Sequence, residues 1–305
     1  MHSKVIMGLA VETEILAPED KKEEAQLILK AFPVRKTTWN LKEMKIMIPI
    51  DSAAVEIFAA ANNTIALTGA GISVASGIPH FRGCGGIWEN YDPEEYGTIQ
   101  AFQRNPAKVW SALKIFCDII DKARPNPAHF ALASLERLGY LRTIITQNID
   151  GLHQEAGSSN VIEFHGNNRW LVCQKCGGRY PIKEVAIDLL PPLCACGGVL
   201  KPDVVLFGEM IPHDALYRSY LEANNCSVVI VIGTSAAVEP AASIPRIASK
   251  TGAKIIEINP EEEMSSDIHL SGCAEEILPI LLEKINRLSL QDTLQPRQPS
   301  LLQSP

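Results

Sequence analysis

Four cysteines have the spacing of metal ligands. Cys173 and Cys176 have two residues between them, Cys194 and Cys196 have one, and 17 residues separate the pairs. Four thiolates so arranged suit a tetrahedral, closed zinc site with a structural role, because no coordination position is left for a reactant. Gly177-Gly178 and Gly197-Gly198 supply the tight turns that such ligand pairs need. The Cys-x-Cys pair is one residue shorter than zinc ribbons generally use. A reactive thiol pair and a ribbon without metal therefore stand as alternative readings. Cys84, Cys117, Cys226 and Cys273 are scattered, and the last three read as small core hydrophobes.

A second set of residues could move a proton or hold a nucleotide. Of the seven histidines, His165 alone follows a strand-like run, Val161–Phe164, at the position where ligands bind. A neutral imidazole with an ordinary pKa near 6.5 is a natural general base at cellular pH. Gln147, Asn148 and Asp150 close another such run, and their side chains can orient a substrate by hydrogen bonds. Gly69-Ala70-Gly71 follows a buried run, where backbone N–H groups can approach a pyrophosphate. A structural turn would show the same glycines. The third glycine of the dehydrogenase fingerprint is replaced by Val74, and no strand leads to an acid about 20 residues on, so plain hydride transfer is disfavoured. Gly233-Thr234-Ser235 and Asn259-Pro260 can hold a ribose or an adenine, and each also reads as ordinary turn chemistry.

The elements that must position these residues alternate. Asp51 or Ser52 caps a helix to about Ala61. Strands are expected at Thr64–Thr68, Arg142–Thr146, Val161–Phe164, Ser227–Ile232 and Lys254–Asn259. Helical patterns run over Pro106–Ala123, Ala128–Leu138, Ala241–Thr251 and Ala274–Leu288. Such alternation predicts an α/β fold, a mainly parallel sheet with helices on both faces. Gly69, Gln147, His165, Gly233 and Asn259 follow the five strands in turn, at the carboxyl edge where these sheets bind ligands.

Composition narrows the partners. The 28 basic and 35 acidic residues give a net charge of −7, which disfavours a surface built for nucleic acid or anionic lipid. No direct nucleic-acid binding and no membrane association are expected. No apolar run approaches the roughly 18–20 residues of a membrane helix. Val5–Val11 runs straight into Glu12 and Glu14 and reads as no signal peptide. With the cysteine usage, this predicts a cytoplasmic protein. Residues 1–50 read as an extension with one amphipathic helix over Glu23–Phe32, and 289–305 as a disordered tail rich in Gln, Pro and Ser.

Together these motifs resemble the sirtuins, NAD-dependent protein deacylases, in a microbial form with an FGE segment and a Cys-x-Cys second pair. The resemblance runs from about Asp51 to Leu288. It takes in GAGIS at 69–73, GIPHFRG at 77–83, Gly86-x-Trp88, PNPAH at 125–129, TQNIDGLH at 146–153 and FHG at 164–166. The cysteine quartet, KPDVVLFGE at 201–209, GTS at 233–235, INP at 258–260 and GCAEEILP at 272–279 complete it.

The resemblance implies a Rossmann-like parallel-sheet domain over 51–82, 127–168 and 203–288. A smaller domain, a zinc ribbon plus a helical module, is inserted at 83–126 and 169–202. It implies NAD+ as co-substrate, with Gly69, Ala70, Gly71, Phe81 and Arg82 at its phosphates and ribose. Gln147, Asn148 and Asp150 would line the ribose and nicotinamide pocket. Gly233, Thr234, Ser235 and Asn259 would hold the adenosine half, and the Ala274 backbone would touch adenine. His165 matches the catalytic base, with Asn148 beside it, and the four cysteines match the zinc ligands.

An acylated lysine of a protein would bind by strand addition along Val205, Phe207, Gly208, Glu209 and Val238. The implied products are free lysine, nicotinamide and O-acyl-ADP-ribose. Sirtuins that prefer succinyl or malonyl groups carry a Tyr-x-x-Arg pair where Leu113 and Phe116 stand here. Neither residue can bind a carboxylate, so acetyl and other uncharged acyl groups are expected. His80 follows GIP and reads as a surface histidine of the cofactor loop. A protein ADP-ribosyltransferase is the alternative activity, and a catalytically silent zinc-ribbon binding module is a further one. His165 weighs against both, and Asn148 also against the second.

Overall fold

A computed structural model describes residues 50–80, 86–89, 91–187 and 189–294. The expected helix at Glu23–Phe32, the residues Phe81, Arg82 and Cys84, and the end of the tail from 295 lie outside the described residues.

Asp51 caps the first helix, α1 (Ser52–Ala60), by accepting the Ala53 N–H at 2.9 Å. The chain then enters β1 (Thr64–Thr68), every residue of which is buried. Five further parallel strands complete the sheet: β2 (Thr143–Thr146), β3 (Val161–Glu163), β7 (Val228–Ile232), β8 (Lys254–Asn259) and β9 (Ile268–Ser271). Their order is β3-β2-β1-β7-β8-β9, with every pairing parallel. The central strands β1, β2 and β7 are buried at every residue because helices cover both faces, and β2 and β7 are unbroken β-branched runs.

On one face Ile65, Leu67, Ile145, Val229, Val231 and Ile255 join the helices α7 (His213–Asn225) and α8 (Ser243–Lys250) through Ala215, Ala223, Ile244 and Ala248. The alternate residues Ala66, Ile144, Ile230, Ile256 and Ile258 are also buried and point to the other face. There α9 (Ala274–Leu294) packs on α1 and on α5 (Pro127–Arg137). Helix α9 runs six residues past the expected end at Leu288.

The expected strand and helix positions hold to within about two residues elsewhere; β9 is an additional strand, and of the elements that follow the sequence pattern marks only the helix at Pro106–Lys122. A three-stranded antiparallel sheet, β5-β4-β6, is formed by β4 (Gly166–Cys173), β5 (Arg179–Pro181) and β6 (Leu200–Val204). Three helices, α2 (Pro93–Tyr96), α3 (Ile99–Arg104) and α4 (Pro106–Lys122), accompany it. Phe102, Val109 and Trp110 pack with Leu171, Leu200 and Leu206 in one small core. The buried Trp110 indole donates to the Leu200 carbonyl at 2.8 Å, so the helix is tied to the sheet as well as packed on it. Among the described residues no helix is long and apolar enough to cross a membrane.

The large sheet reverses its winding between β1 and β7, and the crevice for a ligand opens at such a point. The loops leaving these two strands interlock. Gly69 N–H donates to Ile232 O at 3.0 Å and Gly71 N–H to Gly233 O at 2.8 Å. A Cβ on Gly69 would lie 2.5 Å from Thr234 Cβ, and one on Gly71 2.6 Å from Gly233 Cα. Gly233 has φ +60° and would press on Ile72 N at 2.4 Å. Glycine is therefore required here so that two backbones can touch.

Candidate active site

His165 sits where the parallel sheet hands over to the antiparallel one. Phe164 N–H still bonds Thr146 O at 2.9 Å, and His165 O accepts the Val205 N–H at 2.9 Å. The imidazole Nδ1 lies 3.0 Å from the Gln147 carbonyl oxygen. A carbonyl only accepts, so Nδ1 carries the proton and Nε2 is the free basic atom. Burial lowers the pKa of His165, and the bond to Gln147 partly opposes it. The ring is therefore held neutral and ready to accept a proton.

Behind it a buried polar network fixes the strand-end residues. Asn148 donates both amide hydrogens, to Gly69 O at 3.0 Å and to Ser73 Oγ at 3.2 Å, which leaves Oδ1 as its remaining group. Ser73 in turn donates to Asp150 Oδ2 at 2.8 Å, and Leu152 N–H bonds Asp150 Oδ1 at 2.9 Å. Burial raises the Asp150 pKa, and these two donors pull it back in part.

His129 Nδ1 accepts the Asn126 N–H at 3.3 Å, so its Nε2 carries the proton toward Ser73 Oγ at 3.5 Å. His153, on the short helix α6 (Leu152–Glu155), meets Thr68 Oγ1 through Nε2 at 2.9 Å, and Thr68 gives its own proton to Thr146 Oγ1, also at 2.9 Å. The two histidine rings lie 5.0 Å apart. Desolvation drives both pKa values down, His129 to about 4 and His153 well below its ordinary value, with His129 adding to the effect on His153. Both rings are neutral structural parts.

The nucleotide side of the crevice is built from loops. Gly69, Ala70 and Gly71 open a 3-10 turn over Ala70–Ser76, facing Gly233. Gln147 Nε2 donates to Thr234 Oγ1 at 3.0 Å and so bridges the ends of β2 and β7. Asn259 Nδ2 reaches Thr234 O at 3.2 Å. Ser235 is exposed, and Ala274 is buried at the start of α9. Every expected cofactor residue that is described thus lies at the carboxyl edge or at the start of α9.

The expected acyl side is a half-buried face of α4. Leu113 packs against the small core, and Phe116 lies against Tyr91, ring centroids 6.3 Å apart. Cys117, one residue on, bonds Asn168 Oδ1 at 3.3 Å, which sets this helix face beside the start of β4, next to His165.

The loop after β6 is pinned at several points. Phe207 N–H bonds Gly97 O at 2.9 Å and Phe207 O accepts the Ile99 N–H at 3.0 Å. Gly208 takes φ +84°. The Glu209 carboxylate turns inward, accepting Leu206 N–H at 2.7 Å and the buried Lys201 ammonium at 3.0 Å. Lys201 also donates to Val204 O at 2.6 Å and Pro202 O at 3.2 Å. Val205 and Val238 are half-buried, and Phe207 stays exposed.

The four cysteines converge, with their sulfur atoms all within 4.8 Å of one another. Cys173 Sγ lies 3.5 Å from Cys196 Sγ, and Cys176 Sγ 3.8 Å from Cys194 Sγ. A tetrahedron with Zn–S bonds of about 2.3 Å has edges of about 3.8 Å, so the donor set fits one structural zinc. The short Cys-x-Cys spacing is accommodated by a turn in which Gly197 N–H bonds Cys194 O and Cys194 N–H bonds Gly198 O, each at 2.8 Å. A Cβ on Gly198 would stand 2.6 Å from Cys173 Sγ. Around the sulfurs, Lys175 and Cys176 N–H groups face Cys173, and the Tyr180 hydroxyl lies 3.1 Å from Cys194 Sγ.

Ser73, His129, His153 and Lys201 were not among the expected site residues. The signal for the first three lay inside the GAGIS, PNPAH and TQNIDGLH segments, and Lys201 opens KPDVVLFGE. Their partners, however, are remote in sequence.

A model of the Sir2 family matches residues 69–240. A protein of Pyrobaculum aerophilum named NAD-dependent protein deacylase 2 is 47% identical over 236 residues, covering 76% of this chain and 94% of its own. A solved Sir2 homologue, a serine-to-alanine variant in complex with ADP ribose, is 42% identical with a TM-score of 0.77, over 81% of this chain and all of that one. The structure of Sir2Af2 bound to a myristoylated histone peptide is 39% identical with a TM-score of 0.67, over 78% of this chain and 97% of that one.

Proposed function

The chain belongs to the Sir2 family, and from that premise we propose a reading of its site. The protein is an NAD-dependent protein deacylase that removes acyl groups from lysine side chains. The observation that carries the assignment of its base is the bond between His165 Nδ1 and Gln147 O, which leaves Nε2 as the basic atom at the carboxyl edge of the sheet.

When bound, NAD supplies an electrophilic ribose carbon and a ribose hydroxyl that receives the acyl group, with nicotinamide leaving. His165 Nε2 takes the proton of that hydroxyl. The Gln147 carbonyl keeps the ring from swivelling and stabilises the imidazolium as it forms. Asn148, both hydrogens committed, presents the negative end of a fixed dipole where positive charge develops on the sugar. Gly69, Ala70, Gly71 and Gly233 form a floor of backbone on which phosphates can sit. Gln147, Asp150, Thr234, Ser235, Asn259 and Ala274 line the rest of the cofactor path, with Phe81 and Arg82 assigned to it from the resemblance.

The acyl-lysine peptide pairs along Val205, Phe207, Gly208, Glu209 and Val238, and its acyl group lies against Leu113 and Phe116. That apolar face favours acetyl and other uncharged acyl groups. The zinc on Cys173, Cys176, Cys194 and Cys196 is structural, since four thiolates close its coordination. A cytoplasmic setting belongs to the same reading, because such a site needs reduced thiols.

Incubating the zinc-loaded enzyme with NAD and an acetyl-lysine peptide tests the proposal. Nicotinamide release together with a peptide lighter by one acetyl group supports it. Nicotinamide release with ADP-ribose attached to a protein and the acetyl group intact overturns it.

A further inference from the structure

Glu257 is wholly buried in β8, in a central position between Val231 of β7 and His269 of β9. Its Oε1 accepts two donors, Asn259 Nδ2 at 2.7 Å and the Glu263 N–H at 2.8 Å. Its Oε2 has no partner among the described residues. A fully buried carboxyl group with one idle oxygen costs stability, so its working oxygen needs a reason. That oxygen ties down the residue at the carboxyl end of β8 and the loop that follows.

The consequence for Asn259 comes from hydrogen-bond direction. Its side chain faces two acceptors, Glu257 Oε1 and, at 3.2 Å, the Thr234 carbonyl. Both demand N–H, so both amide hydrogens point inward and Oδ1 is the group left for a ligand. Asn259 is thereby set as an acceptor. A ribose diol can donate to it, and a 2′-phosphate at neutral pH cannot. The loop after β8 adds Glu261, Glu262 and Glu263, all exposed, which repel a further negative charge at this end of the crevice.

We propose that Glu257 is a positioning residue that locks Asn259 with its oxygen outward and so selects NAD over its 2′-phosphorylated form. This rests on the reading that Asn259 meets the adenosine half of NAD.

The test is calorimetric titration of the zinc-loaded enzyme with ADP-ribose and with 2′-phospho-ADP-ribose. The wild type binds ADP-ribose at least tenfold tighter. Glu257→Met, of similar volume and with no acceptor oxygen, loses about tenfold in ADP-ribose affinity and narrows the ratio between the two ligands. Glu257→Gln keeps an acceptor oxygen and restores both to near wild type. Acyl-peptide affinity stays unchanged in all three.

Glu257→Met with unchanged affinity and ratio overturns the proposal, as does a Glu257→Gln variant as impaired as Glu257→Met. If Glu257→Met does not fold, Asn259→Asp carries the test. It keeps an outward oxygen and lacks the N–H groups that Glu257 holds, so it too must lose ADP-ribose affinity, and unchanged binding overturns the lock. A wild-type enzyme that binds no ADP-ribose would instead overturn the functional reading itself.

Discussion

The Nδ1 of His165 donates to the main-chain carbonyl of Gln147 at 3.0 Å, so a residue at the end of β2 sets the tautomer of the ring that follows β3. Replacing His165 by Ala is expected to cut deacylation by about 10²–10⁴-fold, the usual range for a lost general base. Steady-state turnover of an acetyl-peptide checks this, and near-normal turnover by a folded variant would contradict it. Burial lowers the pKa of His165, so the active neutral form persists below the ordinary value. The acid limb of kcat/KM is therefore expected below about pH 6.5, the unperturbed histidine value.

His129 and His153 set the acid stability. The folded-state pKa of His129 falls to about 4 through desolvation, and that of His153 well below its ordinary value. The unfolded chain binds protons more readily, so stability is full above about pH 6.5 and is lost as pH falls toward 4. For His129 this is on the order of 3 kcal/mol across the window. Thermal midpoints measured from pH 7.5 to 4.5 should fall steeply. His129→Gln, which keeps a capping-box side chain at that helix position, should flatten the curve.

One zinc per chain is expected on elemental analysis. Gly198→Ala should lose it, because the added Cβ meets Cys173 Sγ and Lys175 Cβ, each at 2.6 Å. Chelation of the wild type should melt the antiparallel sheet and abolish activity, since the sulfurs converge from β4 and from the turn before β6. A protein that keeps full activity without metal would contradict the structural role.

Lys201 lies under the loop on which the substrate is proposed to pair, with its ammonium on Val204 O, Pro202 O and Glu209 Oε2. Lys201→Met takes the ammonium donor from the buried Val204 and Pro202 carbonyls and the cation from the Glu209 carboxylate, and should destabilise the protein by on the order of 3 kcal/mol. At a temperature where the variant is folded, KM for the peptide should rise about tenfold with KM for NAD little changed. Equal changes in both would point to general loosening.

The apolar face of Leu113 and Phe116 predicts at least tenfold faster removal of acetyl than of succinyl groups from the same peptide. Comparable rates would mean that a cation reaches the acyl site from another element.

The strand runs are readable because strands buried on both faces are written as short, mostly apolar and β-rich stretches, and the five expected ones fall within a residue of their observed ends. Strand β4 is not legible along the chain because Asn167 and Asn168 interrupt its pattern, and its register against β6 shifts between Gly166 and Leu171. The metal ligands were readable from spacing. Whether a Cys-x-Cys pair can close the tetrahedron was not, since that depends on how Gly197 and Gly198 turn the chain under Cys173.

The amino-acid sequence by itself determined the alternation of strands and helices, the residues at the carboxyl edge, the cysteine quartet and the family. These are local patterns or ordered motifs, visible along one chain. Only the tertiary structure decided which nitrogen of His165 is basic, why His129 and His153 are neutral, and what Lys201 and Glu257 hold. Thr68 and His153 are 85 positions apart and Ser73 and His129 are 56 apart. The charge state and direction of a buried polar group are set by partners and by exclusion of water, and both arise only when the chain has folded.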